Sequence, residues 1–445
     1  MTSRLLKNIA AALAIILITS GCSVRQASLH PSGSAVLAPA VPDPDFSRYV
    51  SESHEKIRRV LDAVSINGGS GFLGGYSNEE AAAMRAPFQI PDSAADLCSD
   101  RAKGGGKGFL LIHGLTDSPY LMRSVAESLH KAYPCGVVRA LLLPGHGTVP
   151  GDTLKMNHEE WIQTTAYGVR SFEKDEKISE LYLVGFSSGA ALALRHVKDS
   201  GNAGKVKGLV LLSPALKAKS ALAPLAAVAE SFSDWQSIFP ERDAARYESF
   251  SYHAAAEFYA LTKGLSDGGY TLDIPLLMAV SGDDSTVDAI AARRFFCNSA
   301  VTGRRVLIWY RSGYTEDSSA VLCSDILTVE TEGTERRYNG TPYRLANISH
   351  TAVPVSPADR HYGVNGRYRN CKFYDGKGNP DDFANCQTGS PKTIFGESSI
   401  GNSHEKEVLE YDYWRRGTFN PDYERLEKSI ICFVDRSCKM ESLPR

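Results

Sequence analysis

The chain has no dense block of lysine and arginine, and its net charge is −2, so it carries no electrostatic footprint for nucleic acid. Tandem repeats are absent, which removes solenoids and repeat arrays from consideration. No two cysteines stand at CxxC spacing, so a zinc cluster is not expected. In the glycine-rich stretch KGGGKGF (103–109) the GK pair is not followed by Ser or Thr, which excludes a phosphate loop. The segment DGKGNPDD (375–382) lacks the glycine and closing glutamate of a calcium loop and reads as a solvated turn. Near the N-terminus the apolar run IAAALAIILIT is 11 residues long, too short to cross a bilayer as a stable helix. Neither a cofactor nor a metal is expected.

What is present is globular in composition, 43% apolar and 22% charged, and 445 residues suit one large domain with insertions or two ordinary ones. Arg4 and Lys7 precede the apolar run, and Ser-Gly-Cys follows it. This is the layout of an export signal over 1–21. It resembles the bacterial lipoprotein signal, which implies lipidation of Cys22, a membrane anchor, and residence at the outer membrane or cell surface. Residues 22–55 are expected to be a tether, since 23–46 are rich in Ser, Ala and Pro. Eight cysteines remain behind this signal, and an even number in an exported chain points to disulfides. Eight allow 105 pairings; neighbour pairing is expected, namely Cys98–Cys135, Cys297–Cys323, Cys371–Cys386 and Cys432–Cys438.

From Lys107 onward short apolar runs (GFLLIHG, GVVRALLLPGHG, LYLVGFSSG, KGLVLLSPA, IPLLMAVSGDD, RRVLIWYR) alternate with amphipathic helical stretches. Such alternation predicts a mainly parallel sheet covered by helices on both faces, with ligands bound beyond the C-terminal strand ends. Ser187, in GFSSG, falls between a strand over 181–185 and a helix over 189–199. There a serine is forced into a strained, exposed turn, and Gly185 and Gly189 allow the close approach of helix and sheet. Ser187 is therefore the candidate nucleophile.

LLIHGLTDSPYLMRSVAESL, LLLPGHGTVPGD, EEW and LVGFSSGAALAL together resemble the α/β-hydrolases of the carboxylesterase and monoacylglycerol-lipase branch, over roughly 107–290. The resemblance implies an α/β-hydrolase fold for 56–445. It also implies a Ser–acid–His order and an oxyanion hole from the amides of Leu115 and Ser188. His113 would shape that loop, and the loop of His146 the pocket mouth. Asp284 fits the acid position better than Asp283, and Asp288 reads as a helix-surface charge. His350, after YRLANIS, is the expected base, with His361 and His404 as rivals. It lies beyond an insertion of about 35 residues.

Residues 216–273 are expected to hold a helical lid, with Leu222, Leu225, Val228, Phe232 and Trp235 at helical spacing and a second helix in YESFSYHAAAEFYAL. Further insertions are expected over 313–345 and 362–404, the latter clamped by a disulfide, and DYERLEKSIICFV should close the core. The expected function is a serine ester hydrolase acting on acylglycerols or other aliphatic acyl esters through an acyl-enzyme. The alternative is a non-catalytic surface lipoprotein that uses the fold for binding or assembly.

Overall fold

Along each apolar run, neighbouring residues bury on opposite faces. Leu110 and Ile112 join one hydrophobic cluster, Phe109 and Leu111 the other, and the same split holds for Leu183/Val184 and Leu211/Leu212. Strands buried on both faces need no polar alternation, which is why they read as continuous apolar runs. The computed structural model describes residues 27–65, 72–92, 106–200, 204–220, 223–266, 270–311, 323–330, 336–338, 341–371, 380–388 and 414–436.

Eight strands form the central sheet: β1 (Phe88–Ile90), β2 (Gly106–Ile112), β3 (Val137–Leu141), β4 (Ile178–Phe186), β5 (Val206–Leu212), β6 (Leu276–Ser281), β7 (Arg305–Arg311) and β8 (Ile326–Glu330). Their order is β1-β3-β2-β4-β5-β6-β7-β8, parallel throughout except for β1. This is the α/β-hydrolase fold. The chain turns one way from β2 to β3 and the other way from β4 to β5, so a crevice opens at the C-terminal ends of β2 and β4.

Helices α1 (Phe46–Ser65) and α2 (Asn78–Arg85) precede the parallel strands, and α3 (Arg123–Ala132), α4 (His158–Glu173) and α5 (Ser188–Ser200) alternate with them. A cap follows β5 and holds α6 (Ala226–Glu230) and α7 (Tyr252–Thr262). After it come α8 (Ala289–Asn298), α9 (Pro380–Thr388) and the closing helix α10 (Tyr423–Asp435). Helices α4, α5 and α8 pack on one face, α3 and α10 on the other. No described helix is long and apolar enough to cross a membrane.

Three expectations about organisation change. The tether is docked rather than loose from Ser28 onward. Ser32 donates its backbone N–H and hydroxyl to Asp152 (2.7 and 2.8 Å), and Arg170 grips Asp43 through two bonds (2.9 and 2.8 Å). Helix α1 moreover begins at Phe46, ahead of the expected boundary at 55. The strand within DILTVET, expected inside the insertion over 313–345, belongs to the central sheet: β8 pairs in parallel with β7 and forms the sheet edge. Finally, the first lid helix breaks after five residues. The Ser233 hydroxyl donates to the Trp235 carbonyl (3.1 Å) and accepts its N–H (3.3 Å), a local bond that competes with helix continuation. Val228 and Phe232 are left exposed, and Leu222 lies outside the described residues.

Disulfides join Cys297 to Cys323 and Cys371 to Cys386. Cys135 and Cys432 are disulfide-bonded too, and their expected partners Cys98 and Cys438 lie outside the described residues, as does Cys22.

Candidate active site

The turn from β4 into α5 places Ser187 at φ 54°, a left-handed conformation that side chains other than glycine rarely adopt. Its carbonyl accepts the amides of Ala190 (3.0 Å) and Ala191 (3.3 Å), so the strained residue is locked by the first turn of the helix. The flanking glycines are required by space. A Cβ on Gly185 would lie 2.4 Å from the Gly189 carbonyl oxygen, and one on Gly189 would lie 2.2 Å from the Ile112 carbonyl oxygen.

His350 Nε2 lies 2.9 Å from Ser187 Oγ, and His350 Nδ1 lies 2.6 Å from Asp284 Oδ2. A carboxylate oxygen accepts, so Nδ1 is the donor and Nε2 remains to accept the serine proton. Asp284 is fully buried, and its other oxygen accepts the amides of Thr286 (2.8 Å) and Val287 (2.9 Å), which fixes the carboxylate plane. His350 reaches this point by an unusual route. After β8 come β9 (Arg336–Tyr338) and β10 (Thr341–Ile348), which with β11 (Trp414–Gly417) form a separate three-stranded sheet. The hydroxyls of Ser281 and Ser213 then bond the carbonyls of Ile348 (2.7 Å) and His350 (3.0 Å), tying this detour to the ends of β6 and β5.

The HGLTD loop closes the other side of the serine. A Cβ on Gly114 would sit 2.9 Å from Ser187 Cβ and 2.8 Å from Asp117 Oδ2, so the loop packs directly on the candidate nucleophile. Leu115 lines the cavity beside Ser187, and Ser188 is the first residue of α5, where helix N–H groups have no intrahelical acceptor. His113 is buried and neutral. Its Nδ1 donates to the Gly114 carbonyl (2.8 Å), its Nε2 accepts the Leu143 amide (3.0 Å), and burial holds its pKa well below the ordinary value.

The remaining candidates sit elsewhere. His146 takes no part in the Ser187 hydrogen-bond chain. It is fully enclosed among His113, Trp161 and Tyr247, and burial lowers its pKa to about 4. His361 bonds Asp243 and the Tyr76 hydroxyl, both at 2.8 Å. Asp288 caps α8 by accepting the Ala291 amide (2.8 Å), which makes it more than a surface charge. His404 lies outside the described residues.

Above the serine opens a cavity of about 680 Å³. Its apolar lining includes Ala226 and Ala229 of α6, Ala255 and Phe258 of α7, Phe239 and Phe250 between these helices, and Val287 beside the acid. Asp117, Arg246 and Glu248 add charge from the HGLTD loop and the segment before α7. Sequence reading missed all three. Asp117 stood inside a quoted motif, whereas Arg246 and Glu248 carry no periodic signal. Among the described residues no group of three or more His, Cys, Asp or Glu side chains could hold a metal ion.

The chain belongs to the Alpha/beta hydrolase family, whose profile matches residues 109–344. That span includes Ser187 and Asp284 and stops just short of His350. The thermostable monoacylglycerol lipase of Bacillus sp. (strain H-257) is 32% identical over 94 residues, which are 21% of this chain and 36% of that protein. The chain thus matches about a third of that relative's length. Among solved structures, one from a study of two metagenome-derived lipolytic enzymes, LipS and LipT, has 22% identity and a TM-score of 0.39, covering 46% of this chain and 84% of its own. The monoacylglycerol lipase of Paleococcus ferrophilus has 19% identity and a TM-score of 0.39, covering 50% and 84%.

Proposed function

We propose that the protein hydrolyses carboxylic esters of aliphatic acids through an acyl-enzyme formed on Ser187. The hydrogen-bonded chain Ser187–His350–Asp284 is the observation that carries this reading. His350 Nε2 takes the proton as Ser187 Oγ attacks the ester carbonyl, and Asp284 stabilises the imidazolium through Nδ1–H. The amides of Leu115 and Ser188 receive the developing oxyanion. The alcohol leaves with the proton held on Nε2, and water attacking the acyl-enzyme by the same route releases the acid. The apolar residues of α6 and α7 offer an aliphatic acyl chain a surface that burial favours by about 25 cal/mol per Å². The alternative of a binding-only role is motivated by the distant place of His350 in the sequence and by the disulfide-bearing insertions; the hydrogen bond between His350 and Ser187 favours the catalytic reading over it.

The test is turnover of p-nitrophenyl hexanoate and labelling by a fluorophosphonate probe. The parent protein hydrolyses the ester and carries the label on Ser187. Ser187→Ala does neither, and full activity in that variant ends the proposal.

Export and lipidation at Cys22 belong to the same proposal and rest on the N-terminal sequence. Cells fed labelled palmitate should label the parent chain and leave Cys22→Ala unlabelled.

A further inference from the structure

Arg246 is a charged residue of the cavity that the mechanism above leaves unused. Its side chain is 23% exposed, it lines the cavity, and none of its N–H groups has a hydrogen-bond acceptor among the described residues. Its nearest carboxylate, Asp117 Oδ1, is 3.9 Å from Nη1, close enough for attraction and too far for a hydrogen bond. Other enclosed arginines are treated differently. Arg85 donates to the carbonyls of Ala244, Thr148, Asp243 and Gly147, and Arg139 donates to Gln89 and Ser171. Those two are structural clamps. Arg246 instead presents a rigid fork of donors to the space above Ser187.

The charge on that fork is secure. Burial works against it, but Asp117 foremost, with Tyr362, Asp243 and Tyr368 adding smaller amounts, outweighs the penalty and pushes its pKa above the ordinary value. It is also near the chemistry, because Asp117 and Ser187 both pack against Gly114. The apolar residues of α6 and α7 suit the acyl part of an ester, which leaves the charged wall of Asp117, Arg246 and Glu248 for the alcohol part. Glu248 is already engaged by the amides of Arg242 and Asp243 and the hydroxyl of Tyr368.

We propose that Arg246 is a specificity residue that receives an acidic group, a carboxylate or a phosphate, on the alcohol portion of the ester. This rests on the esterase reading above. A planar guanidinium meets either group through two parallel N–H···O bonds. Asp117 beside it holds the fork in place without occupying its donors.

Three esters with one scissile bond test the idea: 1-hexanoylglycerol, the hexanoyl ester of glyceric acid, and 1-hexanoylglycerol 3-phosphate. Hexanoate release is followed by titration at constant pH, with p-nitrophenyl hexanoate as a neutral reference. In the parent protein at least one acidic ester should exceed hexanoylglycerol in kcat/KM by about tenfold or more, mainly through KM. Which acid is faster identifies the group. Arg246→Gln should bring the ratio close to one, and Arg246→Lys should keep part of it. Equal or better turnover of the neutral ester by the parent overturns the inference while leaving the esterase reading intact. So does a preference that survives Arg246→Gln, or a uniform loss on all esters, which would make Arg246 a counter-ion for Asp117 alone. Failure to cleave any ester, the reference included, overturns both. Where a variant folds poorly, the absence of any acidic preference in the parent still overturns the inference, and Arg246→Lys, which keeps the charge, carries the assignment to this residue.

Discussion

Asp284–His350 and Asp243–His361 are built alike. In each, a carboxylate with no exposed surface meets a ring nitrogen, at 2.6 and 2.8 Å, and the histidines are 4% and 1% exposed. They differ in what waits at the second nitrogen. His350 meets the hydroxyl of Ser187 on a strained turn that opens on a cavity. His361 meets the Tyr76 hydroxyl and is enclosed by the rings of Tyr76, Tyr120, Tyr362 and Tyr368. One pair is aimed at the candidate nucleophile. The other pins the segments around 76, 243 and 361 together. A buried Asp–His couple is therefore not itself a sign of catalysis; the third group and its access to substrate decide.

Substitutions should separate the two pairs cleanly. Ser187→Ala should lower kcat/KM on p-nitrophenyl hexanoate by at least about 10⁴-fold, with little change in the denaturation midpoint. Asp284→Asn should cost about 10³- to 10⁴-fold in kcat, because an amide can favour the wrong tautomer of His350. Asp243→Asn or His361→Ala should instead destabilise by about 3 kcal/mol, since each strips a buried group of its partner. Turnover per folded molecule should stay within about tenfold of the parent, because neither residue touches a reacting atom. If His361→Ala abolished turnover while sparing stability, the contrast would collapse.

The smallest effect belongs to the docked N-terminal segment. Arg170 is the main cause that holds the Asp43 carboxyl at about 2, below its ordinary 3.8. Because the folded value is the lower one, this contribution is complete above the ordinary value and fades as pH falls toward 2. Arg170 and Lys174 are largely exposed, so Asp43→Asn should cost at most about 1 kcal/mol, read as a small shift in urea midpoint that vanishes at acid pH.

Legibility followed the physics of each element. The strands announced themselves because burial on both faces leaves uninterrupted apolar runs, and the elbow did because Gly185 and Gly189 are spatially obligatory. Asp284 was favoured by its place after β6 and His350 by the segment around it, although the detour through β9 and β10 left that choice open. The lid helix failed for a local reason, since apolar spacing from 222 to 235 cannot reveal that Ser233 diverts the backbone. The Asp243–His361 pair had no local trace: its partners are 118 positions apart, and only tertiary packing joins them.

The docking of the N-terminal segment also sets a length. Between Cys22 and the buried Ser28 stand five residues, a reach of at most roughly 20 Å. With lipid attached to Cys22, the enzyme would ride against the bilayer like a short-moored boat, sampling esters within or just above the headgroups instead of sweeping a wide volume on a long leash.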